Sequence, residues 1–359
     1  DTLIDLGEKY LLRADLYKAV QQQNRIRDPR AIPVGTVISI PRNLLKFKPA
    51  TARLVSVRGQ VSAGGTAPAV NGLIVGEGST LATAASSFAT LQLDDGSRVS
   101  FPSNSNVRIR LLRSYVLGGS LDYDFDIDKG GMRSSVTKHK SADDRYRVRT
   151  PKAVSAVRGT DFQSRFDPET GSDFAEVVEG ALAVDAGGGA ERVGAGNGLA
   201  VSATGIVVRE AMLDEAALIE PGKLQADPQV RFETQPSEGA SAYRLSIAAD
   251  AGFIEQVADV VTPTGRAEFA DIKNGNYFIR VRAKSTNGIE GKPATFAFKR
   301  RLNSVSASAG QDDSGYVFRW SGEGEGKRQY HFQLFRNATD SVPMIDEAAL
   351  DSDRIIISD

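Results

Sequence analysis

From Ala52 onward apolar and polar residues alternate in short bursts, in LVSVRGQV, FATLQLDDGSRVSF and NVRIRLL. Period-two alternation predicts strands with one buried and one wet face. DDGS at 94–97 supplies a hairpin turn between Leu93 and Val99. Further strands are expected at 146–149, 174–178, 181–184 and about 199–208, separated by Gly-rich turns. The prediction for residues 50–210 is an all-β body, either a two-sheet roll or a solenoid-like winding.

The first forty residues have a different period. Leu3, Leu6 and Tyr10 fall at helical spacing behind Thr2, which with Asp5 makes a capping-box pattern. Leu16, Tyr17 and Val20 share a second helical face behind Asp15. DPRAIPVGTV breaks that helix before a β-branched strand at 36–40, closed by Pro41. Toward the other end, EAMLDEAALIEPG predicts a short acidic helix ended by Pro-Gly within a linker at 211–225. QVRFETQPSEGASAYRLSIAAD is then echoed by YVFRWSGEGEGKRQYHFQLFRN, which aligns Phe232 with Trp320 and Tyr243-Arg244-Leu245 with Phe332-Gln333-Leu334. Two β units, 226–302 and 303–359, are expected, the second incomplete at its C-terminus.

Composition narrows the partners. In 359 residues, 44 Lys and Arg balance 45 Asp and Glu, so there is no global basic field for nucleic acid. With no cysteine and only His139 and His331, there is no thiolate chemistry and no histidine metal cluster, and no cofactor is expected. No apolar run approaches the roughly 20 residues of a membrane helix. The chain opens at Asp1 without a basic-then-apolar leader, so an export signal or anchor is expected to have been removed.

Residues 1–42 carry DTL at 1–3, Leu16, Asn24, Ile26, Asp28-Pro29, Ile32, PVG at 33–35 and the VISIP ending. This stretch resembles the LysM domain, a small βααβ module that binds N-acetylglucosamine glycans, above all peptidoglycan. The family's strand and glycine before Asp-Thr-Leu are missing, so a module at 1–45 lacking its first strand is expected. The resemblance implies a shallow groove in which Asp1, Thr2 and Leu3 face Arg27, Asp28, Pro29, Arg30, Ala31 and Ile32. Backbone groups there would bond N-acetyl groups while apolar side chains cover the methyl. Without a sugar, DTL is a helix cap and DPRAIP a turn.

VRGQV, LATAASSFATLQLDDGSRVSF, RVRTPKAVSAVRGTDF and EVVEGALAV, in that order, resemble the FecR domain. The name comes from a periplasmic transducer of iron-uptake signals. RVRTPKAVSAVRGTDF, residues 147–162, reads as a fold device. Thr150 and Pro151 end one strand, small Ala153, Val154, Ala156 and Val157 suit a tight crossing, and Gly159 permits a backbone angle others resist. Arg158 is expected to satisfy turn carbonyls and pair with Asp161, bracketing Thr160. With no neighbouring base or second carboxylate, a catalytic reading fails.

LDYDFDIDKGG places Asp122, Asp124, Asp126 and Asp128 on one face of a strand. An EF-hand would need glycine where Lys129 stands and glutamate where Ser135 stands, so a charge-protected sheet edge is preferred to a divalent-cation site. IKNGNYFIRVRAKSTNGIEG resembles the later strands of a fibronectin type III or immunoglobulin-like domain, with Ile279, Val281 and Ala283 inward. The resemblance makes Tyr277 a corner tyrosine bonded to backbone. Trp320 is read as core rather than a sugar platform, His331 as surface, and Asn337-Ala338-Thr339 as a sequon without consequence in a bacterial envelope protein.

The expected whole is a mainly β multidomain protein of the periplasm or cell envelope of a Gram-negative bacterium. It is non-catalytic, binds peptidoglycan through 1–45, and presents its β units to an envelope protein or glycan. Two alternatives stay open. A LysM-tethered peptidoglycan- or polysaccharide-processing enzyme would need opposed carboxylates or a metal in a cleft. A FecR-type signal transducer would act through a partner.

Overall fold

The computed structural model describes residues 2–65, 67–138, 141–157, 159–302, 304–323 and 327–358. Asp1, His139 and Arg158 lie outside them. The fold is mainly β, in several sheets. The described residues of 47–211 build one hydrogen-bonded network of 17 strands, laid in two layers joined by the long strand Leu121–Ser135. Its first part pairs with Asn106–Tyr115 on one side and, in parallel, with Arg145–Arg149 on the other. Its last part pairs in the other layer with Arg98–Phe101 and Asp161–Asp167. The strand changes layer at Gly130, where φ is +73° and a Cβ would sit 2.7 Å from the Asn104 carbonyl oxygen. Only glycine fits there.

The alternating bursts account for the body's core. Leu54, Leu91, Val99, Ile109, Phe125, Phe162 and Val177 are buried between the layers. Tyr146 packs against Tyr123, Phe125 and Phe162. The hairpin forms between Phe88–Leu93 and Arg98–Phe101, with Asp95 accepting from the Ser97 N–H at 3.0 Å.

The N-terminal helix spans Leu3–Tyr10, with Thr2 and Asp5 closing the capping box. A 3₁₀ turn, Ala14–Leu16, leads into the helix Tyr17–Gln23. Leu3, Leu11, Val20 and Leu45 bury together with Tyr115 of the β body, so the helical unit is seated on the sheet. The strand expected at 36–40 does not form. No described strand pairs with it. Ile38 and Ile40 still point inward, and the Asn24 side chain bonds both the N–H and the carbonyl of Ser39.

The acidic helix predicted around 210–220 is also absent. This segment runs extended, with the Met212 N–H given to the Gly196 carbonyl and the Leu213 carbonyl taken by the Lys292 N–H. Burial of Met212, Ala216 and Leu218 against neighbouring sheets overrides local helix propensity. Beyond it, strands Leu218–Ile219, Val230–Thr234 and Arg266–Phe269 form a 3-stranded sheet facing a 4-stranded one, Gln256–Thr262, Ala240–Ala248, Gly275–Ser285 and Ala294–Arg300. Ile279, Val281 and Ala283 fill this sandwich.

Tyr277 departs from its expected role. Its ring stacks on Phe298, but the backbone bond belongs to Tyr243, whose hydroxyl accepts from the Ser237 N–H at 2.8 Å. The last unit pairs Ser304–Asp312, Gly315–Glu323 and Arg354–Ile357, with a separate hairpin of Tyr330–Leu334 and Ile345–Leu350. Trp320 is buried, stacks on Phe332 and donates Nε1–H to the Ser352 carbonyl at 2.8 Å. His331 is exposed, on the strand after Trp320's, and pairs with Asp346.

Candidate functional site

The sequence-predicted positions do not form one site. In the N-terminal unit the two loops meet: the Leu3 N–H donates to the Pro29 carbonyl at 2.8 Å. Leu3 itself is buried, whereas Arg27, Asp28, Arg30 and Ala31 are exposed and Thr2, Pro29 and Ile32 half-buried. The Asp28 carboxylate caps the turn by accepting from the Arg30 N–H at 2.9 Å. One backbone donor of the expected groove is thus already used.

The aspartate run is not a sheet edge. Leu121–Ser135 is hydrogen-bonded on both sides, and Asp122 and Asp124 are 3% and 1% exposed. Parallel pairing sets Arg147 beside Asp124 and Arg149 beside Asp126. Arg147 reaches Asp122 at 2.6 Å and Arg149 reaches Asp124 at 2.9 Å. Asp126 faces Arg110, and Asp128 is exposed. Two alternating strands, DYDFD and RYRVR, neutralise one another, and the inner carboxylates Asp122 and Asp124 are each already paired with arginine. No metal-holding group of His, Cys, Asp or Glu occurs among the described residues.

The remainder of 147–162 winds around a second buried carboxylate. Thr150 Oγ1 and the Lys152 N–H both donate to Asp173, which is 2% exposed. Burial raises the Asp173 carboxyl above the ordinary range. Gly159 has φ +61°. Thr160 is buried, its carbonyl accepting from the Val136 N–H at 3.0 Å. The clasp expected between Arg158 and Asp161 falls partly outside the described residues. Within them Asp161 takes a two-pronged bond from Arg133, at 3.2 and 3.0 Å.

A charged seam between the β body and the first sandwich has no counterpart in the expected sites. Arg165 donates to Glu176 at 2.6 Å and to the Gly288 carbonyl at 2.8 Å. The Glu290 N–H also donates to Glu176, at 3.1 Å. Glu290 accepts from Arg244 at 2.7 Å and from Gln163 at 3.2 Å. Arg244 continues to Asp259 at 2.7 Å, and Asp259 accepts from Ser103 of the body at 2.9 Å. Glu176 and Glu290 are 0% and 1% exposed. Burial disfavours the Glu290 charge, but Arg244, Arg165 and Arg282 outweigh it and hold the carboxyl well below the usual range.

Above this seam lies a cleft of about 560 Å³ between the two units. The body contributes Lys129, Arg133 and Arg165 to its walls, and the sandwich contributes Arg280, Arg282 and Lys284. Burial, then the nearby Arg133, lowers the Arg282 guanidinium to about 10. Sequence reasoning used FIRVRAK only for its inward half, Ile279, Val281 and Ala283. The same alternation, read for the other face, lines up three cations two residues apart.

The family model described as FecR protein matches residues 79–183, so the chain contains a FecR domain. No curated protein matches the chain. A putative anti-sigma factor from Parabacteroides distasonis ATCC 8503 is similar at 17% identity and TM-score 0.32, over 37% of this chain and 59% of that structure. The chain thus spans about three fifths of that relative. The FN1–FN3 domains of chicken CNTN1 are similar at 12% identity and TM-score 0.24, over 57% of this chain and 83% of that one. The extracellular domain of a putative one component system from B. thetaiotaomicron gives 7% identity and TM-score 0.18, over 71% and 58%.

Proposed function

We propose that this is a non-catalytic protein of the Gram-negative envelope, in which residues 1–45 hold peptidoglycan while the FecR body and its sandwich are presented as one sensing or scaffolding unit. The observation that carries the reading is the continuous seam from Arg165 through Glu176 and Glu290 to Asp259, which ties the two β units together. A hydrolase would need free opposed carboxylates at a cleft. Glu176, Glu290 and Asp259 are instead each engaged by arginine. The FecR match at 79–183 favours sensing over mere scaffolding, with the signal passed to an envelope protein.

The glycan half rests on the meeting of the Leu3 and Pro29 loops. Ala31 is exposed beside them, so Ala31→Trp would fill the groove without touching the core. Co-sedimentation of the full chain with insoluble peptidoglycan is expected to fall sharply in Ala31→Trp, with the thermal melt unchanged. Equal sedimentation of parent and variant would remove the glycan role and leave the sensing role standing.

A further inference from the structure

We infer that the cleft between the FecR body and the first sandwich is a binding site for a small organic polyanion, a molecule bearing two or more carboxylate or phosphate groups. The inference deepens the sensing half of the reading above, and it stands whether or not residues 1–45 bind glycan.

Arg282 carries the argument. On the sandwich face turned to the cleft it lies directly across the strand pair from Arg244, a like-charge placement that is unfavourable unless negative charge sits between or above the two. Glu290 serves Arg244 at 2.7 Å. Arg282 is 3% exposed, its side chain makes no hydrogen bond among the described residues, and its Nη1 is buried without a partner. A guanidinium offers five N–H donors in a fixed fork that matches oxyanions. Leaving the buried Nη1 donors unused is costly in the free protein, and an entering oxyanion would relieve it.

The neighbours extend the pattern. Lys284, half-buried on the same face, has no carboxylate partner among the described residues, and burial followed by Arg165 lowers its ammonium. Among the described residues the Arg280 side chain bonds Thr295 and the Ala251 carbonyl, and it lies over the Phe253 ring. From the body, Lys129 adds a fourth cation at the wall without a salt bridge among the described residues. The acids are placed differently. Asp161, Glu176, Glu290 and Asp259 are each engaged by Arg133, Arg165 or Arg244. Asp167 and Glu169 line the body's wall in a turn where Asp167 accepts the Glu169 N–H. They would repel a long anionic polymer, while a compact anion could reach Arg282 and Lys284. About 560 Å³ falls within the range of small-molecule pockets and exceeds the need of a single inorganic ion. Because the cations come from both units, a bound polyanion would lock them together.

The test titrates the full chain at low ionic strength with inorganic pyrophosphate and, separately, with propane-1,2,3-tricarboxylate, followed by calorimetry. Saturable one-to-one binding of either probe is expected, weakened at least tenfold in Arg282→Met and in Lys284→Met. Binding of pyrophosphate alone points to phosphate esters, and of the tricarboxylate alone to polycarboxylates. Arg282→Met should also melt no lower than the parent without anion, because it removes an unsatisfied buried charge. If that variant does not fold, Lys284→Met decides. No binding of either probe, or binding unchanged in the folded variants, overturns the inference. Peptidoglycan sedimentation is read separately, so failure of this site and of the glycan reading are distinguishable.

Discussion

Arg149 Nε donates to both carboxylate oxygens of Asp124, at 2.9 and 3.1 Å, across a parallel strand pair. Asp124 is 1% exposed and also faces Arg147 at 3.4 Å. Removing it strands Arg149, whose side chain is 28% exposed, and leaves Arg147 with Asp122 alone. Asp124→Ala should therefore destabilise the body by about 3 kcal/mol, the lower end for a broken buried pair. Asp128→Ala, at an exposed position, should stay within about 0.5 kcal/mol. Urea melts of both variants check the contrast, and millimolar calcium should leave the parent's midpoint in place.

A Cβ on Gly159 would lie 3.0 Å from Lys138 Cα and 3.1 Å from its Cγ, at φ +61°. Gly159→Val combines a left-handed backbone with a clash and should cost about 1–3 kcal/mol or more. Gly187 has φ +90° and nothing within 4 Å, so Gly187→Ala isolates the backbone penalty and should cost less. Arg133→Ala, which frees Asp161, should cost about 1.5 kcal/mol, the low end for a charged hydrogen bond because both side chains are about a quarter exposed. Thermal melts of the full chain rank the three.

Local signals in the sequence translated directly where the chain satisfies itself locally. The Thr2–Asp5 capping box and the 94–97 hairpin need only neighbours within a few residues, and both form. The Asp122–Arg147 pairing joins strands 25 residues apart in parallel register. DYDFD by itself looked like an exposed edge because its cationic complement lay out of view. Helix propensity in EAMLDEAAL lost to burial of Met212, Ala216 and Leu218. The seam is harder still to read, since Arg165, Glu176, Arg244 and Glu290 come from four segments and meet only when two units dock. Only the cationic face of FIRVRAK was within reach of pattern reading.

Asp173 gives the protein a pH signature. Burial, partly offset by the Thr150 hydroxyl and the Lys152 N–H, raises its carboxyl above the unfolded value. The folded state then holds a proton that the unfolded state has released, so stability falls as pH rises from the ordinary aspartate range through the raised one. Asp173→Asn imitates the protonated acid. The parent-minus-variant difference in unfolding free energy should decline over that window and flatten above it. A difference that is constant with pH in denaturant melts would contradict the raised value.

Glu290 links three arginines across the junction, accepting from Arg244 at 2.7 Å, lying 3.8 Å from Arg165 and attracting Arg282. Glu290→Gln keeps the shape and one acceptor but removes the charge. Arg244 retains Asp259 and Arg165 retains Glu176, while Arg282 is left among like charges with less compensation. The loss should be about 3 kcal/mol, the lower end for a broken buried pair, since two of the three cations keep a partner. It should fall on the contact between the units, because the cores around Phe125 and Ile279 are separate. Calorimetry of the parent is then expected to show the body and first sandwich unfolding in one transition, and Glu290→Gln to split it in two. A polyanion bound at Arg282 and Lys284 would return part of the missing negative charge, so adding pyrophosphate or the tricarboxylate should draw the two transitions back together. A parent that already unfolds in separate steps there would deny Glu290 this coupling role.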